Sequence, residues 1–427
     1  MRTHIRGGRV IDPANGTDAT TDLFLADGRI LAVGDTPPEG FSADETIDAA
    51  GLVVTPGLVD LQARLREPGQ EYKGDIASET RAAIRGGITT LCAPPDTDPP
   101  IDTPAVASLL IERAEDVGAA RVLPVGALTA GLAGEHLSEL VNLHRAGCVA
   151  FSNNRYPITN TQVLRRAMEY AATCDLTVLI HAEDPWLAEN GCAHDGEVAS
   201  RLGLPGIPVS AETVEIARTL ALVQQTGVRA HYCKVSSGAG MELIRRARAD
   251  GLPVTANVSI NQLHLTEMEI GDFNTLYHVR PPLRTQRDRD LLRRAVADGT
   301  IQAICSDHQP HDADAKLAPF CESAAGISGL ETLLGLTLRL VHDRLLDLPT
   351  ALARITCDPA RALGIPGGTL SPGAAADVCL FDPEAEWEVD PAAFASRGHN
   401  SPYGHWFLPG RVERTLVDGR TVHRAEG

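Results

Sequence analysis

The chain has 427 residues, with 56 Asp and Glu against 38 Lys and Arg, for a formal net charge of −18. That balance excludes a general nucleic-acid-binding surface, which needs a basic face. No apolar run reaches the roughly 18 residues of a membrane span, and the opening MRTHIRGGRVID lacks the apolar middle of a signal peptide, so a cytoplasmic protein with no membrane and no nucleic-acid partner is expected.

Residues 1–55 read as short strands, THIRGGRVID, DLFLADGRILAVG and TIDAAGLVV, punctuated by Asn15-Gly16, Asp27-Gly28 and Pro37-Pro38. Asn-Gly and Asp-Gly suit tight hairpins because both residues tolerate positive φ. From residue 56 the pattern alternates. Eight strand candidates appear in order: VVTPGLVDL, ITTLCAP, RVLPVGAL, CVAFSN, LTVLIHA, RAHYCKV, VTANVSI and IQAICSD. Between and after them lie helical stretches with a 3.6-residue apolar period, such as DIASETRAAIRG, GEHLSELVNLHRAG, AETVEIARTLALVQQTG and GLETLLGLTLRLVHDRL, several stopping at glycine. Eight strands with intervening helices predict a (β/α)8 barrel over 56–364. Residues 365–427 return to strands, with another turn at Asp418-Gly419. The two chain ends are expected to build one small β-sandwich. The nine cysteines contain no C-x-x-C and read as reduced core residues. Cys192 with His194 is too small a cluster for a metal site.

Polar residues gather at the strand ends, where barrels of this kind hold their chemistry. Gln62, Arg64 and Arg66 follow the first strand, Asp96 the second, Asn153 and Asn154 the fourth, His181 and Glu183 the fifth, Lys234 the sixth, and Asp307, His308 and His311 the eighth. The stretches DLQARLREPG, GCVAFSNN, IHAEDP, VSSGAG, RPPLR, CSDHQPH and GISGLETLLGL resemble the dihydroorotase branch of the amidohydrolase superfamily. The resemblance implies an amidohydrolase-type barrel, and in an active member it implies metal-assisted ring closure of N-carbamoyl-aspartate to dihydroorotate. Zinc there lowers the pKa of its bound water from 15.7 to about 7.

Carried over residue by residue, the resemblance places Gln62 and Arg64 at the first-strand histidine pair, Asn153 at the aspartate that joins the metals, and Lys234 at the sixth-strand histidine. Only His181 and Asp307 remain of the six metal-associated positions, and two of the replacements are cations. Arg66 and His311 survive as pocket residues; Arg66 reads first as a turn-stabilising guanidinium and second as a carboxylate anchor. Asp96 and Arg280 replace two asparagines. Zinc is therefore expected to be absent. With the metals gone Asp307 would be an uncompensated buried charge, so Arg64 or Lys234 is expected to pair with it. The function expected is a catalytically inactive dihydroorotase homologue, similar to the non-catalytic chain of bacterial aspartate carbamoyltransferase complexes. It would assemble as a hetero-oligomer with the aspartate carbamoyltransferase catalytic chain. The alternatives are an active cyclic-amide hydrolase with a remodelled, metal-poor site, and a sensor that holds a carboxylate metabolite through Arg66, Arg280 and His311.

Overall fold

The computed structural model describes residues 1–425. Its centre is a ring of eight parallel strands in chain order: Leu58–Asp60, Ile88–Ala93, Arg121–Ala127, Ala150–Ser152, Thr177–His181, Arg229–Cys233, Val254–Ser259 and Ala303–Cys305. The first and last are joined just beyond their ends. Ala63 bridges His308 in parallel, and Arg64 N donates to His308 O at 3.0 Å while His308 N donates to Gln62 O at 3.1 Å. Strands such as Ile88–Ala93 are buried along their whole length, as parallel strands covered on both faces must be.

The helices close as their end signals predict. Ile76–Arg85 is capped by Asp75, whose side chain takes the Ser78 amide at 2.7 Å while Ser78 Oγ takes the Asp75 amide at 3.1 Å, a reciprocal capping box. Val209–Thr226 stops at left-handed Gly227. One stretch differs from expectation. GEHLSELVNLHRAG gives a helix only over Leu140–Arg145. Its first residues instead fold back on the loop after the third strand, with Ser138 N on Leu128 O and Ala130 N on His136 O; tertiary hydrogen bonds win over a periodic pattern there.

The chain ends meet in a second, mixed sheet of eight strands, ordered through Val378–Glu388, Val53–Pro56 and Arg2–Asp12. Val53–Pro56 runs antiparallel to the C-terminal strand and parallel to the N-terminal one, so it stitches the ends together. Asp12, buried, reinforces this by accepting from Leu370 N at 2.7 Å. This small β-sandwich domain has its own apolar cluster, including Ile5, Val10, Leu25, Val54, Leu380 and Leu416.

The run VVTPGLVDL is thus two strands. They part at Gly57, where a Cβ would sit 2.1 Å from Thr89 Oγ1. The cysteine expectation also needs correction. Cys192 and Cys321 are paired as a disulfide with Cα atoms 5.2 Å apart, leaving seven free thiols. The partners are 129 residues apart, a separation that leaves no spacing signal. They meet where Ala193, Val198, Ile270 and Phe320 cluster.

Candidate functional site at the barrel mouth

Four residues at the strand ends adopt left-handed backbone: Arg66 (φ 67°), Asn154 (φ 48°), Lys234 (φ 55°) and Asp307 (φ 50°). Left-handed conformations cost a non-glycine residue on the order of 1 kcal/mol and gather at functional sites. Four of the twelve described non-glycine residues with positive φ thus lie at this mouth.

At the mouth the charges are paired. Lys234 Nζ lies 3.0 Å from Asp307 Oδ1, and the two side chains are 0% and 5% exposed. Gln309 Nε2 donates to the same Oδ1 at 2.9 Å, which gives the glutamine of DHQPH a purpose: it supplies the carboxylate with a second donor. The expected rescue of Asp307 thus falls to Lys234. Arg64, the other candidate, reaches instead to Asp96, with Nη2 and Nε at 2.8 and 3.1 Å from Oδ2. Asn154 Nδ2 donates to the other oxygen of Asp96 at 2.9 Å. Burial pushes the Asp96 carboxyl up, but the Arg64 charge, its hydrogen bonds and that of Asn154 outweigh burial, and the group titrates below the ordinary carboxylate range. Asp96 is therefore not a free anion but one held by Arg64 and Asn154. Arg280 is likewise occupied, its Nε 2.9 Å from both oxygens of Glu183.

The remaining positions are structural or idle. Gln62 Nε2 points at Cys233 Sγ, 3.2 Å away. Asn153 accepts the Thr129 amide at 3.1 Å and donates to Thr129 Oγ1 at 2.8 Å, so it braces the loop after the third strand. His308 is satisfied in the core, Nε2 on Glu79 at 2.8 Å and Nδ1 accepting from Gly329 N at 3.1 Å. Arg66 donates to Pro310 O at 2.9 Å and stands 3.1 Å from His311 Nε2, which fits its role as a turn brace. His194 contacts Arg284 at 3.1 Å, and Cys192 is spent in the disulfide. His181 is the exception: neither ring nitrogen has a partner among the described residues. Burial first, then the charges of Lys234, Arg155, Arg64 and Arg280, hold its pKa well below the ordinary histidine value. The ring is a neutral imidazole.

These residues do not fit a zinc ion. A structural site uses four donors and a catalytic one three plus water. Here His181 stands as one free donor, Asp307 is committed to Lys234 and Gln309, and an ammonium and a guanidinium occupy positions that would face the metal. Among the described residues no three His, Cys, Asp or Glu side chains gather to hold a metal.

Beside the paired charges lies an open cavity of about 340 Å³, lined among others by Arg64, Arg66, Lys73, Asp96, Arg155 and His311. Reading the sequence singled out neither Arg155 nor Lys73 for this pocket. The available signals were position, Arg155 directly following Asn153 and Asn154 at a strand end, and scarcity, since the chain has only three lysines.

A parallel barrel with its polar side chains at the strand ends and a β domain made from both termini is the architecture of the amidohydrolases. The chain belongs to the dihydroorotase-like family of that superfamily. A model described as dihydro-orotase-like matches residues 51–239, and one described as amidohydrolase family matches 166–423. A dihydroorotase-like protein of Pseudomonas aeruginosa is 55% identical over 423 residues, covering 99% of this chain and 100% of that protein; one from Pseudomonas putida is 56% identical over 426 residues, covering 100% of each. A protein named dihydroorotase from Syntrophotalea carbinolica is 45% identical over 424 residues, 99% of each. Among solved structures, an L-hydantoinase (dihydropyrimidinase) from Arthrobacter aurescens superposes with a TM-score of 0.87 over 99% of this chain and 96% of that one, at 24% identity; this likeness concerns the fold. No helix of the described residues is long and apolar enough to cross a membrane.

Proposed function

We propose that this chain is a non-catalytic, dihydroorotase-like subunit of pyrimidine synthesis, which assembles with and stabilises aspartate carbamoyltransferase catalytic chains. The observation that carries the non-catalytic half is the buried Lys234–Asp307 pair. A fixed ammonium there repels a dication and consumes the carboxylate that would help to bind one. Water with a pKa of 15.7 then supplies about nine orders of magnitude less hydroxide than a metal-bound water with a pKa near 7. A general base such as neutral His181 recovers about 10²–10⁴, which leaves most of the deficit. The partner follows from the resemblance of DLQARLREPG and its surroundings to the non-catalytic chain of such complexes.

A second reading is an active cyclic-amide hydrolase with a metal-poor site. It is favoured by the relatives at 41–45% identity that are named dihydroorotase and by the unpartnered imidazole of His181. One experiment separates the two. The chain is co-expressed with an aspartate carbamoyltransferase catalytic subunit, purified by size, and assayed for zinc, carbamoyl transfer and ring closure. The first reading expects a co-eluting complex with transferase activity and no cyclisation. Cyclisation by the purified chain supports the second, and separate elution removes the scaffold.

A further inference from the structure

Three loops, those after the fifth, seventh and eighth barrel strands, are fastened at one point. The loop after the fifth strand carries a small two-stranded sheet, Ala193–His194 against Gly206–Ile207, and Cys192 at its base donates its amide to Pro205 O at 3.0 Å. The loop after the eighth strand brings Phe320 and Cys321 to it. Phe320 clusters with Ala193, Val198 and, from the loop after the seventh strand, Ile270. The Cys192–Cys321 disulfide adds a covalent link to that contact.

Apart from this link the loop after the eighth strand is thinly held. Of residues 311–325 only His311, Phe320 and Ser323 are buried. Its polar anchors run to the loop after the seventh strand. Lys316 Nζ donates to Thr275 O at 3.0 Å, Thr275 Oγ1 donates to Lys316 O at 2.6 Å, and Ser323 Oγ lies 3.0 Å from His278 Nδ1. A segment with few buried contacts opens at low free energy. The same segment supplies His311, Ala324 and Ala325 to the wall of the mouth cavity. The two sulfurs also sit in unlike surroundings. Cys192 is 5% exposed, whereas Cys321 lies on the surface. Thiol–disulfide exchange needs a sulfur that a thiolate can reach, and Cys321 presents one. Six of the seven free thiols are buried, where apolar surroundings suppress the thiolate and make the group inert.

We infer that the Cys192–Cys321 bond is a redox-reversible clasp, which locks the loop after the eighth strand to the loop after the fifth and so fixes one wall of the barrel mouth. Its reductant is a dithiol. One thiolate of the dithiol attacks Cys321 Sγ, the bond between the two cysteines breaks, and Cys192 leaves as a thiolate that takes up a proton. The second thiolate of the dithiol attacks the dithiol's own sulfur in the mixed disulfide and releases Cys321, which is protonated in turn. Two electrons pass to the protein, and the dithiol becomes a cyclic disulfide; oxidation runs the same steps backward. The inference concerns this chain alone and depends on neither functional reading.

The chain has only three lysines, Lys73, Lys234 and Lys316, which gives a lysine-specific protease three sites. The Lys316 ammonium is bound by the carbonyls of Thr275 and Ala324, so cleavage there reports opening of the loop. The full chain is equilibrated with oxidised or reduced dithiothreitol. Its thiols are counted by alkylation after denaturation, and native portions are digested. The expected result is seven alkylated cysteines after oxidation and nine after reduction, with Cys192 and Cys321 as the protected pair by peptide mass. Cleavage at Lys316 is expected to be about tenfold or more faster in the reduced chain. C321S should show the fast rate under both conditions, and C174S should respond like the parent. Nine alkylated cysteines after oxidation, protection of a different pair, or a bond that dithiothreitol opens only in the unfolded chain would overturn the reversible clasp. Equal cleavage at Lys316 in the oxidised and reduced chains would overturn its hold on the loop.

Discussion

Lys234 and Asp307 give the sharpest stability test at the level of single residues. Replacing the lysine with methionine leaves a buried carboxylate with Gln309 as its remaining donor, and removing one partner of such a pair costs about 3–5 kcal/mol. Urea unfolding of K234M should register a loss of that order, and the double variant K234M/D307N should recover most of it. Equal losses in the single and double variants would mean that the two charges do not depend on each other. Glu331 supplies a pH test. Burial pushes its carboxyl from 4.5 up to about 7, against the pull of Arg85. Between those values the folded chain holds a proton that the unfolded chain has released, so this group lowers stability as pH rises from about 4.5 to about 7 and leaves it lower above that window. E331Q keeps an oxygen to accept the Ala395 amide, now 2.8 Å away, and cannot ionise. Denaturation at pH 5 and pH 8 should therefore show a smaller fall in E331Q than in the parent. At this scale the sequence reveals the kind of pairing but not its partners. A lysine at a metal-ligand position and one surviving aspartate anticipate a compensating ion pair. Arg64, however, could reach either Asp96 or Asp307, and only side-chain geometry chooses between them.

Periodicity and turn residues locate the barrel strands and most of the helices because the apolar pattern is strong and the end signals agree with it. The first strand candidate is the informative exception. VVTPGLVDL reads as one apolar run, yet it serves two sheets, and its division at Gly57 depends on contact with Thr89 from another strand, which no local pattern records. G57A would force its Cβ against the buried Thr89 side chain, and overpacking of this kind costs about 1–3 kcal/mol. Thermal or urea unfolding should show that loss, with T89A relieving part of it in the double variant. Simple additivity of the two substitutions would argue that they do not touch. The shortened helix at Leu140–Arg145 has the same lesson: its lost first turns are taken by hydrogen bonds to a loop six to ten residues away in sequence.

For the whole molecule, the family and the architecture were legible because motifs lie along most of the barrel, from DLQARLREPG to GISGLETLLGL. The cation-lined cavity was not, because it depends on which charges remain after the ion pairs have formed. The central claim is that protein cations have replaced divalent metal at this mouth. It is tested most directly by purifying the full chain after expression in zinc-supplemented medium and measuring bound zinc and N-carbamoyl-aspartate cyclisation on the same sample. The account predicts zinc far below one ion per chain and no cyclisation above the uncatalysed rate. One tightly held zinc per chain accompanied by cyclisation would contradict it.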